Sequence, residues 1–242
     1  MLIAARQIRK CSIEGPDGHL GKVKDLLFDR ETWTVRYLEV DTGVWLPDRR
    51  VILSPDVVQR ADYASRRLDT RLTRDQVEKS PPVESDLPVS RRKEIELAQH
   101  FAWGAYWANI ELARGDIQRE GDPNLHSTRA VSGYRIGAKN GDVGHVDDFI
   151  VDDRALNGSP WEIRYLVVDT RNWLPGRQVL IPPLWAESIE WERRHVYVDI
   201  ARETIEDSPE YDPATPINRQ YEEMFFDYYG HPVYWREVEH TH

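Results

Sequence analysis

Residues 33–49 read WTVRYLEVDTGVWLPDR, and residues 161–177 read WEIRYLVVDTRNWLPGR. Eleven of these seventeen aligned positions are identical, including two tryptophans and the closing proline and arginine. Upstream, GHLGKVKD at 18–25 aligns with GDVGHVDD at 141–148. The match is too long for a solenoid repeat, whose period is roughly 20 to 50 residues, so it indicates duplication of a whole domain.

The repeat divides the chain into two domains and a linker. Its downstream end is a Tyr-Trp pair in each copy, at 106–107 and 234–235, which makes the repeat about 105 residues long. The intervening segment has no counterpart in either copy and contains Gly, Asp, Pro and Asn. We therefore predict a first unit at 1–107, a linker at 108–128 and a second unit at 129–242.

Each copy is predicted to begin with β-strands. Short runs rich in Val, Ile, Leu and Tyr lie at 23–29, 35–41 and 51–53, separated by Gly, Asp and Pro. Gly21 and Gly144 lie early in the first of these strands, where glycine permits a bulge or a sharp bend. The predicted fold class is mainly β with appended helices, as two tandem small antiparallel β-barrels that are each followed by short helices.

Helix signals follow the strands in both copies. Thr73 and Gln76 have the spacing of a capping box, which predicts the start of a short helix. Ala201 replaces the threonine in the second copy, so we expect that helix to be capped less firmly. Ser90 and Asn218 are the predicted N-caps of a longer helix in each copy.

This order of motifs resembles the PRC-barrel family. The resemblance rests on Gly-x-x-Gly-x-Val-x-Asp followed by Arg-Tyr-Leu-x-Val-Asp-Thr-x-x-Trp-Leu-Pro, and it covers about 5–70 and 128–198, which is two tandem copies. The Val-Asp-Thr-x-x-Trp-Leu stretch is most similar to the barrel of the photosynthetic reaction centre H subunit. The resemblance implies a small β-barrel that docks onto larger assemblies, as in many bacterial proteins.

Composition and charge exclude several classes of protein. Nine Trp, eleven Tyr and five Phe supply apolar bodies that a disordered chain would lack, and the apolar runs are too short to span a membrane. We expect a soluble, cytoplasmic protein without membrane insertion. Residues 1–121 contain 20 basic and 20 acidic residues, whereas 122–242 contain 12 and 22. The second half would repel phosphate, so nucleic acid is an unlikely partner.

Catalytic and metal-binding patterns are missing from the repeat. Histidine is the usual general base near neutral pH, and no histidine occupies the same place in both copies. Cys11 is the single cysteine, which excludes a cysteine-based metal site. Asp147, Asp148, Asp152 and Asp153 alternate between the two faces of one strand and so do not converge on a cation. We predict no catalytic residue, no metal and no cofactor, and we interpret the protein as a non-enzyme.

Two groups of residues are candidates for other roles. The aromatic group is either a seal between helix and barrel or an interaction surface, since Trp and Tyr concentrate binding energy at interfaces. Its members are Phe101, Trp103, Tyr106, Trp107, Tyr228, Tyr229, Tyr234 and Trp235. Arginine and aspartate that recur in both copies are candidates for structural ion pairs. These are Arg36, Asp41, Arg49, Arg164, Asp169 and Arg177.

The leading functional hypothesis is a non-enzymatic adaptor or scaffold that docks on a protein partner or self-associates, as a homo-oligomer. Two alternatives stay open. The first is an RNA- or ribosome-associated factor that uses a basic face of the first unit. That face would contain Arg66, Arg67, Arg71, Arg74, Arg91, Arg92 and Lys93. The second is a protein that binds a metal or a small molecule at a cleft between the two units.

Overall fold

The structure is a computed structural model. It describes residues 1–47, 49–83, 89, 91–103, 125–153, 160–170 and 177–235, and within the third helix it leaves out the side chains of Arg91 and Arg92. The chain forms two compact units. The N-terminal unit comprises Arg6–Arg129 and Arg154–Glu162, and the C-terminal unit comprises Met1–Ala5, Ala130–Asp153 and Ile163–His242.

Strands account for most of the regular structure. In chain order they are β1 (Leu2–Ala4), β2 (Ser12–Gly15), β3 (Gly18–Asp29), β4 (Val35–Asp41), β5 (Val51–Leu53), β6 (Val58–Asp62), β7 (Arg67–Thr70), β8 (Leu125–Ser127), β9 (Arg135–Ala138), β10 (Gly141–Asp152), β11 (Glu162–Asp169), β12 (Gln178–Ile181), β13 (Ala186–Glu190) and β14 (His195–Val198). The described helices are α1 (Ala5–Ile8), α2 (Arg74–Glu78), α3 (Arg91–Phe101), α4 (Thr128–Val131), α5 (Arg202–Glu206) and α6 (Arg219–Tyr228). The predicted fold class, mainly β with appended helices, is confirmed.

The N-terminal unit is built on a seven-stranded sheet. Its strand order is β5-β4-β3-β2-β7-β6, and β8 also pairs with β3. Neighbouring strands are antiparallel except β2 and β7, which are parallel. The sheet buries an apolar cluster against α3, in which Leu27, Tyr37 and Ile52 contact Leu97 and Leu125. Helix α3 therefore covers one face of the β3-β4-β5 strands.

The C-terminal unit repeats this arrangement. Its order is β12-β11-β10-β9-β14-β13, with β1 paired to β10 and with β9 and β14 parallel. The equivalent apolar cluster includes Ile150, Tyr165 and Leu180, and it packs on Phe225 and Phe226 of α6. The two copies therefore place the same elements of the repeat around a similar core.

The first strand of each repeat completes the sheet that the other repeat builds. Strand β1 pairs with β10, where Leu2 faces Asp152 and Ala4 faces Ile150. Strand β8 pairs with β3 in the same register, so that Leu125 faces Asp29. Residues 125–127, which fall in the predicted linker, are thus part of a sheet. The remaining domain boundaries stay a prediction, because residues 104–124 lie outside the described residues.

Gly21 and Gly144 are required by close approach of neighbouring strands. A β-carbon at Gly21 would lie 2.4 Å from the carbonyl oxygen of Asp41, and one at Gly144 would lie 2.1 Å from that of Asp169. A shift in strand register occurs next to each glycine, between Ile13 and Glu14 and between Asp142 and Gly144. The predicted irregularity at both positions is therefore observed.

Three of the four helix-capping predictions agree with the structure, and the fourth falls on a residue that the structure does not describe. Thr73 accepts a hydrogen bond from the backbone N–H of Gln76, whose side chain bonds back to Thr73, so the capping box is present. Ala201 is the N-cap of α5 and makes no side-chain bond. Asn218 accepts from the backbone N–H of Tyr221 at the start of α6. Ser90 lies outside the described residues.

Candidate functional site

Each unit has a cleft at the same place in the repeat. The cleft lies where the first residues of β4 or β11 meet the 3₁₀ turn that follows β5 or β12 and the trailing helix. The residues that line the two clefts correspond at an offset of 128 residues. Tyr37 and Asp56 in the first cleft, for example, correspond to Tyr165 and Leu184 in the second. We call them the N-terminal cleft and the C-terminal cleft.

The N-terminal cleft is small and nearly filled. Its volume is about 60 Å³. Its lining is Val35, Arg36, Tyr37, Ser54, Pro55, Asp56, Ala98, Trp103, Pro160 and Trp161. Trp161 is buried, and its carbonyl oxygen accepts a hydrogen bond from the backbone N–H of Val35 at 2.8 Å. Pro160 and Trp161 thus form part of the wall of this cleft.

The C-terminal cleft is larger and more aromatic. Its volume is about 200 Å³. Its lining is Arg164, Tyr165, Pro182, Leu184, Trp185, Phe226, His231, Pro232 and Tyr234. Phe226 in this lining is the repeat equivalent of Ala98 in the N-terminal cleft, and His231 is the equivalent of Trp103. The lining contains neither of the described residues equivalent to Pro160 and Trp161, which are Thr32 and Trp33.

A buried carboxylate fixes the floor of the C-terminal cleft. The side chain of Glu222 is 3% exposed and accepts hydrogen bonds from the hydroxyl groups of Tyr165 at 2.9 Å and Tyr234 at 3.0 Å. Arg219 is within 3.3 Å of its other oxygen. Burial, and next the charge of Glu222, raise the pKa of Tyr165 well above its usual value, so this phenol stays protonated. The polar groups of the floor therefore bond one another.

Stacked rings form one wall of the cleft. The ring of Trp185 is stacked between Phe225, at 5.6 Å, and His231, at 4.6 Å. Its edge contacts Tyr229, whose pKa is raised to about 12, mainly by burial. Only one face of such a wall reaches the solvent side, because α6 covers the other.

Cations cover the aromatic rings at the opposite side of the cleft. The guanidinium of Arg164 lies 4.5 Å from the ring centre of Tyr234, and it is also 3.6 Å from the carboxylate of Asp152. The guanidinium of Arg219 lies 3.8 Å from the ring centre of Trp235. These stacks hold the segment after α6 against the sheet, and each contributes about 0.5 to 1 kcal/mol at a partly exposed site.

The rim of the two clefts differs in charge. The 3₁₀ turn Pro55–Val57 presents Asp56, which is exposed, whereas the equivalent turn Pro183–Trp185 presents Leu184, which is 80% exposed. The exposed leucine thus lies in the same lining as the aromatic side chains Trp185, Phe226 and Tyr234. Exposed apolar patches mark sites of interaction more often than scattered single residues do.

The predicted aromatic surface is mostly packed onto the sheets. In the N-terminal unit, Phe101 and Trp103 pack against the core cluster, and Trp103 also lines the cleft. In the C-terminal unit, Tyr229, Tyr234 and Trp235 pack against the core, Tyr234 lines the cleft and Tyr228 is exposed. Tyr106 and Trp107 lie outside the described residues.

The arginines predicted to form ion pairs have several kinds of partner. Arg49 donates to the backbone carbonyl of Glu78, and Arg177 donates to that of Ser208, so each ties a sheet to the short helix that follows it. Arg164 has the carboxylate partner described above. Arg36 donates to the hydroxyl of Thr32 at 3.4 Å. Of the two aspartates, Asp41 accepts from the backbone N–H of Gly43, and Asp169 is buried.

The acidic strand and the basic residues have local partners. Asp147 accepts from the side chain of Gln178 at 2.7 Å. Arg67 lies 2.5 Å from Asp69, and Lys93 lies 2.5 Å from Glu96. Among the described residues, no group of His, Cys, Asp or Glu side chains is arranged to hold a metal ion. In the same part of the chain, no helix is long and apolar enough to cross a membrane.

Comparison with known proteins identifies a domain family that the first copy matches. Residues 2–77 match the model of the PRC-barrel domain family. The match covers β1 to β7 and most of α2, and therefore six of the seven strands of the N-terminal sheet. No curated protein matches the chain. The PRC-barrel domain is a small β-rich module, in agreement with the two seven-stranded sheets.

The C-terminal cleft itself was missed by the sequence analysis. Of its lining residues, only Arg164 and Tyr234 were candidates, and they were assigned to an ion pair and to an aromatic surface. The signal that points to the cleft is the replacement of Asp56 and Val57 by Leu184 and Trp185 within an otherwise similar turn. This replacement makes the rim residue apolar in the second cleft where it is charged in the first.

Proposed function

We propose that the protein is a non-catalytic adaptor of PRC-barrel type that docks a protein partner in the C-terminal cleft. The observation that carries this proposal is the rim residue Leu184, 80% exposed beside Trp185 and Tyr234, where the other copy has Asp56. Tryptophan, tyrosine and arginine provide most of the binding energy at protein interfaces. The C-terminal cleft combines all three around an apolar centre.

The polar groups at the cleft support a binding role over a catalytic one. The carboxylate of Glu222 contacts two phenols and a guanidinium. A general base must reach the proton that it removes, and this carboxylate is buried. Burial raises the pKa of Tyr165, so this hydroxyl stays protonated and is a poor base at neutral pH.

The second unit extends the proposal to a tandem module. We propose that the C-terminal unit is a second domain of PRC-barrel type, since it has the same strand order and has helices at equivalent places after the strands. The basic face offers less support for an RNA-binding role, because Arg67 and Lys93 already contact carboxylates. The N-terminal cleft is smaller, about 60 Å³ against about 200 Å³, so the docking site is proposed in the C-terminal cleft alone.

The proposal is tested by photo-crosslinking in the full chain. Benzoylphenylalanine replaces Leu184 in one variant and Val44 in a control, because Val44 is 97% exposed, apolar and distant in sequence from the cleft. Adducts formed in native extract are identified by mass spectrometry. The partner found only from position 184 is then purified, and its affinity is measured for the wild type and for Leu184→Asp.

We expect one partner to react at position 184 and not at 44, and its affinity to fall at least tenfold in Leu184→Asp. A tenfold loss corresponds to about 1.4 kcal/mol, within the range for removing one interface side chain. Identical adducts from both positions would contradict the proposal. So would equal affinity of the purified partner for Leu184→Asp and the wild type.

A further inference from the structure

Another cavity of the C-terminal unit lies beside the first turns of α6. Its volume is about 310 Å³, at the lower end of the range for ligand-binding pockets. Its lining is Glu210, Tyr211, Asp212, Thr215, Pro216, Ile217, Asn218, Gln220, Tyr221 and Met224. None of these residues lines the C-terminal cleft. The cavity is therefore a separate feature of this unit, and the docking function proposed above does not use it.

The cavity combines aromatic residues with an acidic rim. Tyr211 is buried and Tyr221 is half-buried, whereas Glu210 and Asp212 are exposed. Asp212 accepts a hydrogen bond from the hydroxyl of Thr215 at 2.9 Å. The lining contains no lysine or arginine, and neither carboxylate of the rim forms an ion pair with another described residue. The negative charge of the rim is thus not neutralised within the described part of the chain.

The N-terminal unit has an ion pair at the equivalent place on its helix. Lys93 and Glu96 of α3 correspond to Tyr221 and Met224 of α6, at an offset of 128 residues. The amine of Lys93 lies 2.5 Å from the carboxylate of Glu96. The second copy has an aromatic ring and a thioether instead, and Met224 is 52% exposed. Helix α6 therefore lacks the cation that α3 has at this position.

The segment around the cavity is strongly acidic. Residues 203–227 contain eight acidic residues and one basic residue, Arg219. Its guanidinium is 3.3 Å from Glu222 and 3.8 Å from the ring centre of Trp235, so it already has partners. The N-terminal end of α6 opposes a cation with about half a positive charge, which the two carboxylates of the rim outweigh. The electrostatic field at the cavity therefore attracts cations and repels anions.

Two guanidinium groups in the same unit show which cation suits an aromatic ring beside a carboxylate. Arg219 has the ring and the carboxylate given above. Arg164 lies 4.5 Å from the ring centre of Tyr234 and 3.6 Å from the carboxylate of Asp152. A guanidinium is planar, so it stacks on a ring and donates paired hydrogen bonds to a carboxylate, whereas an ammonium group is a point charge. The tyrosines and carboxylates of the cavity therefore favour arginine over lysine.

We infer that this cavity binds an arginine side chain of a partner protein, next to an apolar residue in the partner's sequence. The guanidinium pairs with Glu210 at the rim and lies against the tyrosines. The apolar neighbour contacts Ile217 and Met224, whose unbranched thioether adapts to different shapes. The inference goes beyond the docking function proposed for the C-terminal cleft and does not depend on it.

The test uses the full chain, labelled with ¹⁵N, and the peptide acetyl-GLRLG-amide. The control peptide has citrulline in place of arginine, which keeps the shape and removes the charge. Glu210→Gln removes a rim carboxylate, and Glu187→Gln removes the same charge from an exposed position of β13 outside the lining. Met224→Lys places a cation at the cavity, and Ile95→Lys adds the same charge at an exposed position of α3. Backbone amide signals are followed during titration.

We expect saturable shifts at residues 210–224 with the arginine peptide, and about tenfold weaker binding of the citrulline peptide. Glu210→Gln should weaken binding about threefold, as for one partly exposed ion pair. Met224→Lys should weaken it about tenfold, because the new ammonium group competes for the rim carboxylates. Glu187→Gln and Ile95→Lys should change the affinity by less than about twofold, because salt screens distant charges.

Four results would overturn the inference. Equal affinity of the arginine and citrulline peptides would show that charge is not recognised. Saturation that is not reached by about 10 mM peptide, or shifts outside residues 210–224 alone, would show that the cavity is not the site. An equal loss in Glu210→Gln and Glu187→Gln would show only general attraction to an acidic unit. None of these results affects the test of the C-terminal cleft, which depends on Leu184.

Discussion

The two clefts differ in size and in the charge of their rims, although the same elements of the repeat build both. In the N-terminal unit, Trp161 and Asp56 line a cavity of about 60 Å³. In the C-terminal unit, Leu184 and several aromatic residues line a cavity of about 200 Å³. The same elements of the repeat thus form a small cleft with a charged residue at its rim in one copy and a larger cleft with an apolar residue there in the other.

The units also differ in how their buried polar groups are stabilised. In the N-terminal unit, Asp25 accepts hydrogen bonds from the hydroxyls of Ser127 and Thr128. The residues that correspond to Ser127 and Thr128 in the other copy are Ala4 and Ala5, which have no hydroxyl group. In the C-terminal unit the hydrogen-bonded tyrosines lie instead beneath the cleft. Measurements on single variants can separate these differences, because each variant affects one unit.

The largest effect is expected from Gly144→Ala. A β-carbon would lie 2.1 Å from the carbonyl oxygen of Asp169, so β10 and β11 must separate locally. We expect a loss of about 3 kcal/mol in the free energy of unfolding, measured by denaturant titration. Hydrogen exchange with mass spectrometry should place the lost protection in the C-terminal unit. Gly21→Ala should produce a similar loss in the N-terminal unit.

Gly133→Ala is the control for this comparison. Gly133 has a φ of +88°, and nothing lies within 4 Å of a β-carbon built there. Only backbone strain is expected, about 1 kcal/mol. If Gly144→Ala costs no more than Gly133→Ala, close strand approach is not what demands glycine at position 144.

The second effect tests the N-terminal unit through its buried carboxylate. The hydroxyl of Thr128 is 2.7 Å from Asp25, whose side chain is 4% exposed. Thr128→Val keeps the shape and removes a donor from a buried charge, so we expect about 2 kcal/mol of destabilisation in thermal or denaturant unfolding. Thr32→Val, at an exposed threonine, should change stability by less than about 0.5 kcal/mol. Equal effects of the two variants would contradict the role of Asp25.

The third effect is alkaline destabilisation of the C-terminal unit. Folding raises the pKa of Tyr165, Tyr221 and Tyr229, mainly by burial, whereas these phenols ionise near 10 in the unfolded chain. The raised pKa contributes fully to the free energy of unfolding below pH 10. This contribution is lost as the pH rises above 10. Each such tyrosine contributes a slope of up to about 1.4 kcal/mol per pH unit.

The variant Tyr165→Phe shows how much Tyr165 alone contributes to the change of the free energy of unfolding with pH. The variant should be less stable than the wild type by about 1 kcal/mol at pH 7, where it loses the bond to Glu222, and should lose less stability between pH 10 and 11. Denaturant unfolding at several pH values provides the measurement. If the free energy of unfolding depends on pH in the same way for the variant and the wild type, the pKa of Tyr165 does not differ between the folded and the unfolded chain.

The smallest effect concerns the two short helices. Thr73→Ala should destabilise the N-terminal unit by about 1 kcal/mol, because it removes the capping box of α2. Ala201→Thr should stabilise the C-terminal unit by about 0.5 kcal/mol, because α5 has no side-chain cap. Thermal unfolding followed by circular dichroism measures both changes. If both substitutions destabilise, then α5 starts differently from α2.

Local signals in the sequence predicted the central strands and the caps. Strands β4 and β5 have the predicted bounds, and Thr73 and Asn218 cap the predicted helices. Alternating apolar residues and capping side chains act over a few residues, so one copy contains enough information to reveal them.

Two features depended on distant parts of the chain and were not predicted. Strands β1 and β8 are three residues long, too short for a periodic pattern, and each pairs more than 90 residues away. The properties of the cleft depend on which side chains line it. Predicting those side chains requires the positions of β11, the 3₁₀ turn and α6 together. Comparison of the copies identifies Leu184 as the changed residue, but only the structure shows it beside Trp185 and Tyr234.

The exchange of first strands has a consequence for the synthesis of the protein. Strand β1 leaves the ribosome before its partner β10, which is complete only when residue 152 has been made. At about 5 to 20 residues per second, β1 waits roughly 7 to 30 s for its partner. The seven strands of the N-terminal sheet, in contrast, have all been made once Ser127 has been added. We therefore expect β1 to pair later than the strands of the N-terminal sheet that follow it in the chain, and neither repeat to be excised by a simple cut without leaving a sheet incomplete.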